Sequence, residues 1–467
     1  MIEPIHTDVM AVELAIEDRP ALLAALREAA GGRERACYLF ESDLDGRRVA
    51  ILCGAPLYQA SIFRDRSVLE GPHGRARASA PGLALLRGLL AAYCTPLDGL
   101  AGLAQSVFTI VGYDAARQFE AKLAQRVRSR LPDIWALVPR IALAIDLESG
   151  EAVLVRNRSG SARGRELDEI ASALANASPS PAIDEMHEGT RPSPRSQTTR
   201  EQYCAAVARA REYIMAGDIF QVVLSVERVC EVEASPITLF RRMAAVNPQT
   251  ANFVVEAPEF AVVGASPEIL VEKRERECVI RPLAGTLAHQ GVRDAELEAR
   301  LLDDEKECAE HRMLVDLARN DLGRVCEHGS VRPQQLMEIE YFYNVMHISS
   351  EIRGRMRDDC DALDLLSMSF PAGTMTGAPK IRAMEIIDEL EGSARAFYAG
   401  GVGFLTPAGD LRSHILIRSL TLHDGLAYSR AGAGIVYNSE PNREYDECVA
   451  KLQNAWRALS GGAGAWQ

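Results

Sequence analysis

Apolar residues recur along this chain with two periods, and the elements they predict fall in runs rather than in regular alternation. Continuous apolar stretches over 49–53 (VAILC) and 141–145 (IALAI) predict buried strands, and the pattern over 20–30 predicts a short helix stopped by Gly31 and Gly32. A longer helical pattern covers 200–216 and ends at Gly217. Strands are then expected over 220–229, 252–256, 261–264, 269–273 and 279–282, followed by a helix over 294–320. The stretch 379–390 predicts another helix, with Pro379 at its first position and Gly392 as its stop. Strands follow over 400–405, 414–422 and 426–435, and a last helix over about 442–459. Strand runs separated by helices point to an α+β fold rather than a repeating βαβ unit.

One segment breaks these patterns. Residues 176–199 are rich in proline and small polar residues and carry no apolar period, which is linker chemistry. They divide a region 1–175 from a region 200–467, each long enough for its own core. No internal repeat is present.

Composition narrows the function classes. Across 467 residues the formal charge is −13, which argues against a general nucleic-acid binder that must meet phosphates. No apolar run reaches the roughly 18 residues of a membrane span; the nearest, 80–92, is broken by Arg87. The early acids of the first 20 residues do not read as a secretory signal. Ten cysteines without a C-x-x-C pair are expected to be reduced thiols of a cytoplasmic protein.

Four constellations could carry chemistry. Glu307 and Glu310 lie three apart on one helical face, beside the Leu314 and Leu317 stripe. Glu444, Glu447 and Lys451 share a face of the last helix. Each set alone reads as a solvated charged face; together the carboxylates could frame one hard cation such as Mg²⁺. The run 370–380 (FPAGTMTGAPK) leads into a helix but is not a phosphate-binding P-loop. Residues 431–435 (AGAGI) lack the third glycine of a dinucleotide site and fit either a close backbone approach or a plain bulge. Arg418, inside a strand pattern, could anchor a carboxylate or be a partnered structural residue.

In this order the segments resemble the chorismate-utilising enzymes, most closely the large subunit (component I) of anthranilate synthase. The resemblance rests on GDIFQVVLS (217–225), GASPE (264–268), RPLAGT (281–286), DEKECAEHRMLVDLARNDLGRV (304–325), YNVMHISSEIRG (343–354), FPAGTMTGAPKIRAMEIIDELEG (370–392), YAGGVGF (398–404), AGAGIV (431–436) and EYDECVAKLQNA (444–455), and more loosely on YLFES (38–42), VGYDAARQFE (111–120) and LPDI (131–134). It implies two large layered β-sheets flanked by helices, with the site in the cleft between them. It implies Glu310 and Glu447 as Mg²⁺ ligands, with Glu307 and Glu444 as the second acidic pair, the metal holding the ring carboxylate of chorismate. Arg418, Lys451 and the backbone N–H groups of Gly432, Ala433 and Gly434 would add positive potential for this dianion. Tyr398 and Arg418 would meet the enolpyruvyl carboxylate, and Glu268, with a raised pKa, would protonate the departing C4 hydroxyl. His347 would aid loss of pyruvate, Thr374 would contact substrate, and Thr286 would line the site.

Two positions separate the branches of the family. Water-using members carry a lysine base where this chain has Gln221, and aminodeoxychorismate synthases carry a nucleophilic lysine where it has Ala284. The implied reaction is therefore attack of ammonia at C2, giving 2-amino-2-deoxyisochorismate, then pyruvate elimination to anthranilate; the alternative is release of the aminated intermediate. The sequence also departs from the family. Arg412, Ser413 and His414 replace Asp-Thr-Ala in a strand expected near the substrate, which bears on product identity. The Asn247–Asn252 segment lacks the proline, aromatic ring and thioether of the usual tryptophan site, so weak or absent tryptophan inhibition is expected. No glutaminase region is present, so ammonia must come from solution or from a partner glutamine amidotransferase subunit, within a homo- or hetero-oligomer.

Overall fold

The computed structural model describes residues 2–31, 35–44, 46–78, 82–120, 122–123, 129–159, 167–179, 194–248, 250–288, 294–341 and 345–460. The middle of the expected linker, 180–193, lies outside the described residues. Its distal end is ordered by Thr199, which caps the helix Arg200–Met215 through a reciprocal capping box with Gln202.

The strands form one antiparallel ladder that folds into two layers. In the first layer the order of neighbours is Gln221–Glu231, Leu426–Ile435, Ser419–His423, Ala261–Ser266, Ala251–Glu256, Cys37–Leu44, Arg47–Ile62, Ile134–Asp146, Ala152–Ser159 and Ile5–Val12. The second layer continues from the distal half of Arg47–Ile62 and the first half of Ile134–Asp146. It passes through Val107–Val111, Gly401–Leu405, Leu411–Ile415, Ile269–Arg274 and Glu277–Ile280 to Val345–Arg355, against which Leu283–Ala288 and Arg332–Tyr341 pair.

The two long strands belong to both layers because their ladder breaks where Pro56 faces Pro139, between successive register shifts at Cys53, Ala55 and Tyr58. Proline has no N–H to donate, and such bulges let a strand turn a corner from one sheet to another. Strand Ile134–Asp146 is buried along nearly its whole length, as expected of a strand covered on both faces.

Between the layers lies an aromatic core in which Tyr38 stacks on Phe108 at 4.2 Å and Phe40 meets Phe404 edge-on at 6.2 Å. Strands Cys37–Leu44 and Val107–Val111 come from before the linker and pair with Ala251–Glu256 and Gly401–Leu405 from after it. The regions on either side of the linker therefore share one core rather than building two.

Several elements differ from the sequence pattern for local reasons. The single helix expected over 294–320 is two, Ala295–Leu302 and Glu305–Gly323, because the Asp304 carboxylate accepts from the N–H groups of Lys306 and Glu307 and starts a new helix. Pro379 is the cap before Lys380–Leu390 rather than its first residue. The strand expected over 414–422 is interrupted at Arg418, whose φ of +50° separates Leu411–Ile415 from Ser419–His423. Among the described residues no helix is long and apolar enough to cross a membrane.

Candidate active site

Strands Gln221–Glu231 and Leu426–Ile435 pair in continuous register, with Val223 opposite Gly434 and Ser225 opposite Gly432. No bulge interrupts them, so close approach accounts for the glycines. A Cβ on Gly434 would collide with Gln221 Nε2, and one on Gly432 would lie 2.9 Å from the Tyr398 hydroxyl oxygen. The AGAG run is thus the floor beneath site side chains. Ala433 between them is 1% exposed and faces the core.

Glu268 follows strand Ala261–Ser266, and its carbonyl is tied to Ile415 N at 2.9 Å. Its carboxylate Oε1 accepts from Thr374 Oγ1 at 2.8 Å. Burial pushes its pKa up to about 7, outweighing the Thr374 bond and the positive fields of Arg418 and Lys451. The Arg418 guanidinium makes no hydrogen bond or ion pair among the described residues. It is held by a left-handed backbone costing on the order of 1–3 kcal/mol, a conformation that collects at functional sites.

His347 stands on strand Val345–Arg355, and its Nδ1 lies 2.9 Å from the Gly285 carbonyl. A carbonyl can only accept, so Nδ1 carries the proton and Nε2 keeps its lone pair. Burial pushes the imidazole down to about 4, against the Gly285 bond and with the help of Arg418 and Lys451, so it is neutral at pH 7. Thr286 pairs with His347 through the backbone, and its side chain lies outside the described set. Ala284 pairs with Ile348 and offers only a methyl group.

The two acidic faces meet across the cleft. Glu310 accepts from Gln221 Nε2 at 2.6 Å, and Glu447 pairs with Lys451 at 2.7 Å, whose Nζ also donates to Gly432 O at 3.0 Å. Burial and then the neighbouring Glu310 raise the Glu307 pKa, with Glu447 of the other helix adding to it. Burial also raises that of Glu444, partly offset by its Ser439 bond, with Glu447 adding to the rise. Carboxylates that repel one another across two helices, with oxygen as the only donor atom, fit a hard divalent cation. Among the described residues no three His, Cys, Asp or Glu side chains converge into a ready-made cage.

Some expected neighbours lie elsewhere. Arg412 and His414 are held by groups outside the catalytic set: Arg412 pairs with Glu272 at 2.9 Å, and His414 Nε2 meets Ser42 Oγ at 3.0 Å. The strand does pass beside Glu268, but the pleat that sends Ser413 to one face turns 412 and 414 to the other. Lys380 is structural: its Nζ binds Asp321 at 2.8 Å and Ser369 O at 3.2 Å.

Sequence reasoning missed the support beneath Tyr398. Arg395 is buried and donates to Met375 O, Val223 O and both oxygens of Glu391, which also accepts from Arg430 and Ser225. Its guanidinium lies 5.6 Å from the centre of the Tyr398 ring, whose buried hydroxyl has no partner among the described residues. No sequence spacing announces this network, because its members come from four separate segments.

Residues 52–457 match the family described as chorismate binding enzymes. The chain is 40% identical to anthranilate synthase component 1 of Cereibacter sphaeroides over 78% of this chain and 75% of that protein. It is 37% identical to aminodeoxychorismate synthase component 1 of Bacillus subtilis over 75% of this chain and 76% of that protein. Among solved structures it resembles anthranilate synthase component I from Streptococcus pneumoniae with a TM-score of 0.79 and 31% identity, covering 89% of this chain and 93% of that one.

Proposed function

This chain belongs to the chorismate-binding enzyme family, and within it we propose that the chain aminates chorismate at C2 with ammonia and then eliminates pyruvate to give anthranilate. The observation that carries the reading is the pair of opposed titrations in one cleft: Glu268 protonated up to about pH 7 and His347 neutral above about pH 4. Such a divergence supports an acid role for Glu268 and a base role for His347.

In the first step the ammonia lone pair forms the C2–N bond, the ring π electrons shift, and the C4–O bond breaks. Glu268 delivers its proton to the departing hydroxyl, releasing water, while Thr374 holds the carboxyl in place. The amine then loses its extra proton to solvent or to Glu268, restoring the acid. In the second step His347 Nε2 accepts the C2 proton, the C3–O bond breaks, and the enolpyruvyl group leaves and is protonated to pyruvate. Arg418 and the Tyr398 hydroxyl would receive the enolpyruvyl carboxylate, since both lack protein partners among the described residues. Glu307, Glu310, Glu444 and Glu447 would hold Mg²⁺, which when bound supplies positive charge for the ring carboxylate.

Ammonia is favoured over the other nucleophiles of the family because Gln221 and Ala284 carry no amine. The buried Gln221 Oε1, without a partner among the described residues, is an acceptor suited to an N–H of ammonia. Release of the aminated intermediate was suggested by the altered strand at Arg412; those side chains meet Glu272 and Ser42, which favours the full reaction. A partner glutamine amidotransferase subunit is the proposed ammonia source. Exposed Met215, Phe220 and Tyr437 lie at the ends of the elements leading to Gln221 and offer it an apolar contact.

The test is incubation with chorismate, Mg²⁺ and ammonium, with products identified by fluorescence and mass. Anthranilate and pyruvate are expected in equal amounts; a hydroxylated product or one aminated at C4 would refute the reading.

A further inference from the structure

At the corner where the two layers part, beside Pro56, lies a cavity of about 640 Å³ that none of the catalytic residues lines. Arg35, Arg140, Arg156 and Arg158 line it in a chain whose net charge is −13. Asp8 binds Arg156 at 2.8 Å and Arg158 at 3.1 Å, and Glu70 at the rim is taken by Arg75 at 3.2 Å. Arg140 and Arg35 are left without an ion pair among the described residues.

Arg140 donates through Nη2 to Ala30 O, at the end of helix Arg19–Ala29, while its buried Nε has no partner. Burial, and then repulsion from Arg35, lower its pKa, the signature of a cation lacking its counter-charge. Gln59 is a second, independent observation. It is 5% exposed, it lines the same cavity, and its amide makes no hydrogen bond among the described residues. The amide therefore faces into the cavity with its hydrogen-bonding capacity unused by protein.

We propose that this cavity is a binding site for a small oxyanion, a carboxylate- or phosphate-bearing metabolite, with Arg140 as the anchor, Arg35 at the mouth and the Gln59 amide donating from the wall. A guanidinium presents paired N–H donors that match such oxyanions, and partial burial strengthens the contact.

The experiment uses the full chain in calorimetric titrations and thermal melts with inorganic phosphate and with succinate, ionic strength held constant with chloride. Saturable binding of either is expected, and the better ligand identifies the anion class. Arg140→Gln is expected to weaken that binding about tenfold or more, and Gln59→Leu about threefold or more, both with ammonia-dependent turnover of chorismate unchanged. Should Arg140→Gln fail to fold, Gln59→Leu carries the test, since its amide has no protein bond to lose. Binding by neither anion below ~10 mM, or undiminished binding in the folded variants, would overturn the proposal.

Discussion

Gln221 lays its amide nitrogen 2.6 Å from Glu310 Oε1, so the residue that by resemblance would separate ammonia users from water users also touches the carboxylate face proposed to hold the metal. In the proposed mechanism this one hydrogen bond joins nucleophile choice to metal affinity. Replacing it by Gln221→Lys would set an ammonium beside Glu310 and compete with the divalent cation. The Mg²⁺ concentration for half-maximal activity is expected to rise about tenfold or more, measured as a Mg²⁺ activation curve at saturating ammonium. An unchanged curve would separate Glu310 from the metal.

In the proposed mechanism Glu268 ties catalysis to pH. The proton it must donate is held up to about pH 7, so the ammonia-corrected kcat/KM should be full below that pH and fall above it. Its folded pKa is raised above the ordinary 4.5, so the folded state binds more protons than the unfolded one and stability declines as pH rises from 4.5 through 7. Glu268→Gln is expected to lower kcat by roughly 10²–10⁴ and to remove this fall in Tm, measured by melts at pH 5 and pH 8. A variant that keeps the limb of the pH–rate profile would assign the limb to another group.

The proposed role of His347 divides the two chemical steps. With a neutral imidazole accepting the C2 proton, His347→Gln is expected to slow pyruvate loss about 10²-fold or more while C2 amination continues. Mass spectrometry should then find an aminated product that retains its enolpyruvyl group. Equal loss of both products would place His347 in the first step.

Phe220, 72% exposed, is the residue immediately before Gln221. Phe220→Glu should lower activity with glutamine plus the amidotransferase partner by about tenfold and leave activity with free ammonium unchanged. Loss of both activities would mean that the change distorts the site rather than the docking surface.

The altered strand meets the segments that the resemblance assigns to regulation. His414 contacts Ser42, and Asn252 pairs with Glu41, so the replacements lie among the segments that the resemblance assigns to tryptophan feedback. Buried Arg412 and His414 stand there, and the Asn252 amide turns back to Asn247 O and Thr250 O. Tryptophan is expected to bind weakly or not at all; calorimetric binding in the micromolar range would contradict this.

Much of this was legible in the residues. The strand periods over 220–229 and 426–435 and the stop at Gly217 are local signals, and local physics suffices to read them. Glu268, Thr374 and His347 are pointed to by the resemblance rather than by any period or spacing. The split at Asp304 was legible too, since an aspartate that caps the following N–H groups starts a helix wherever it stands. It went unread because the apolar period continues across the break.

What the sequence by itself determined is the inventory: which carboxylates could face a metal, that no lysine stands at 221 or 284, and that the strands are antiparallel-capable runs rather than βαβ units. Only the tertiary structure decided how these groups act. Burial raised the Glu268 pKa and lowered that of His347, which suits them to the acid and base roles proposed here, and that burial comes from strands and loops distant in sequence. Pleating set Arg412 and His414 on the face opposite Ser413, against Glu272 and Ser42, and the break at Pro56 and Pro139 folded one ladder into two layers with a shared core. A pKa depends on what surrounds a group in space, and a strand's facing depends on its partner's register. Neither quantity is a property of a residue and its neighbours in the chain.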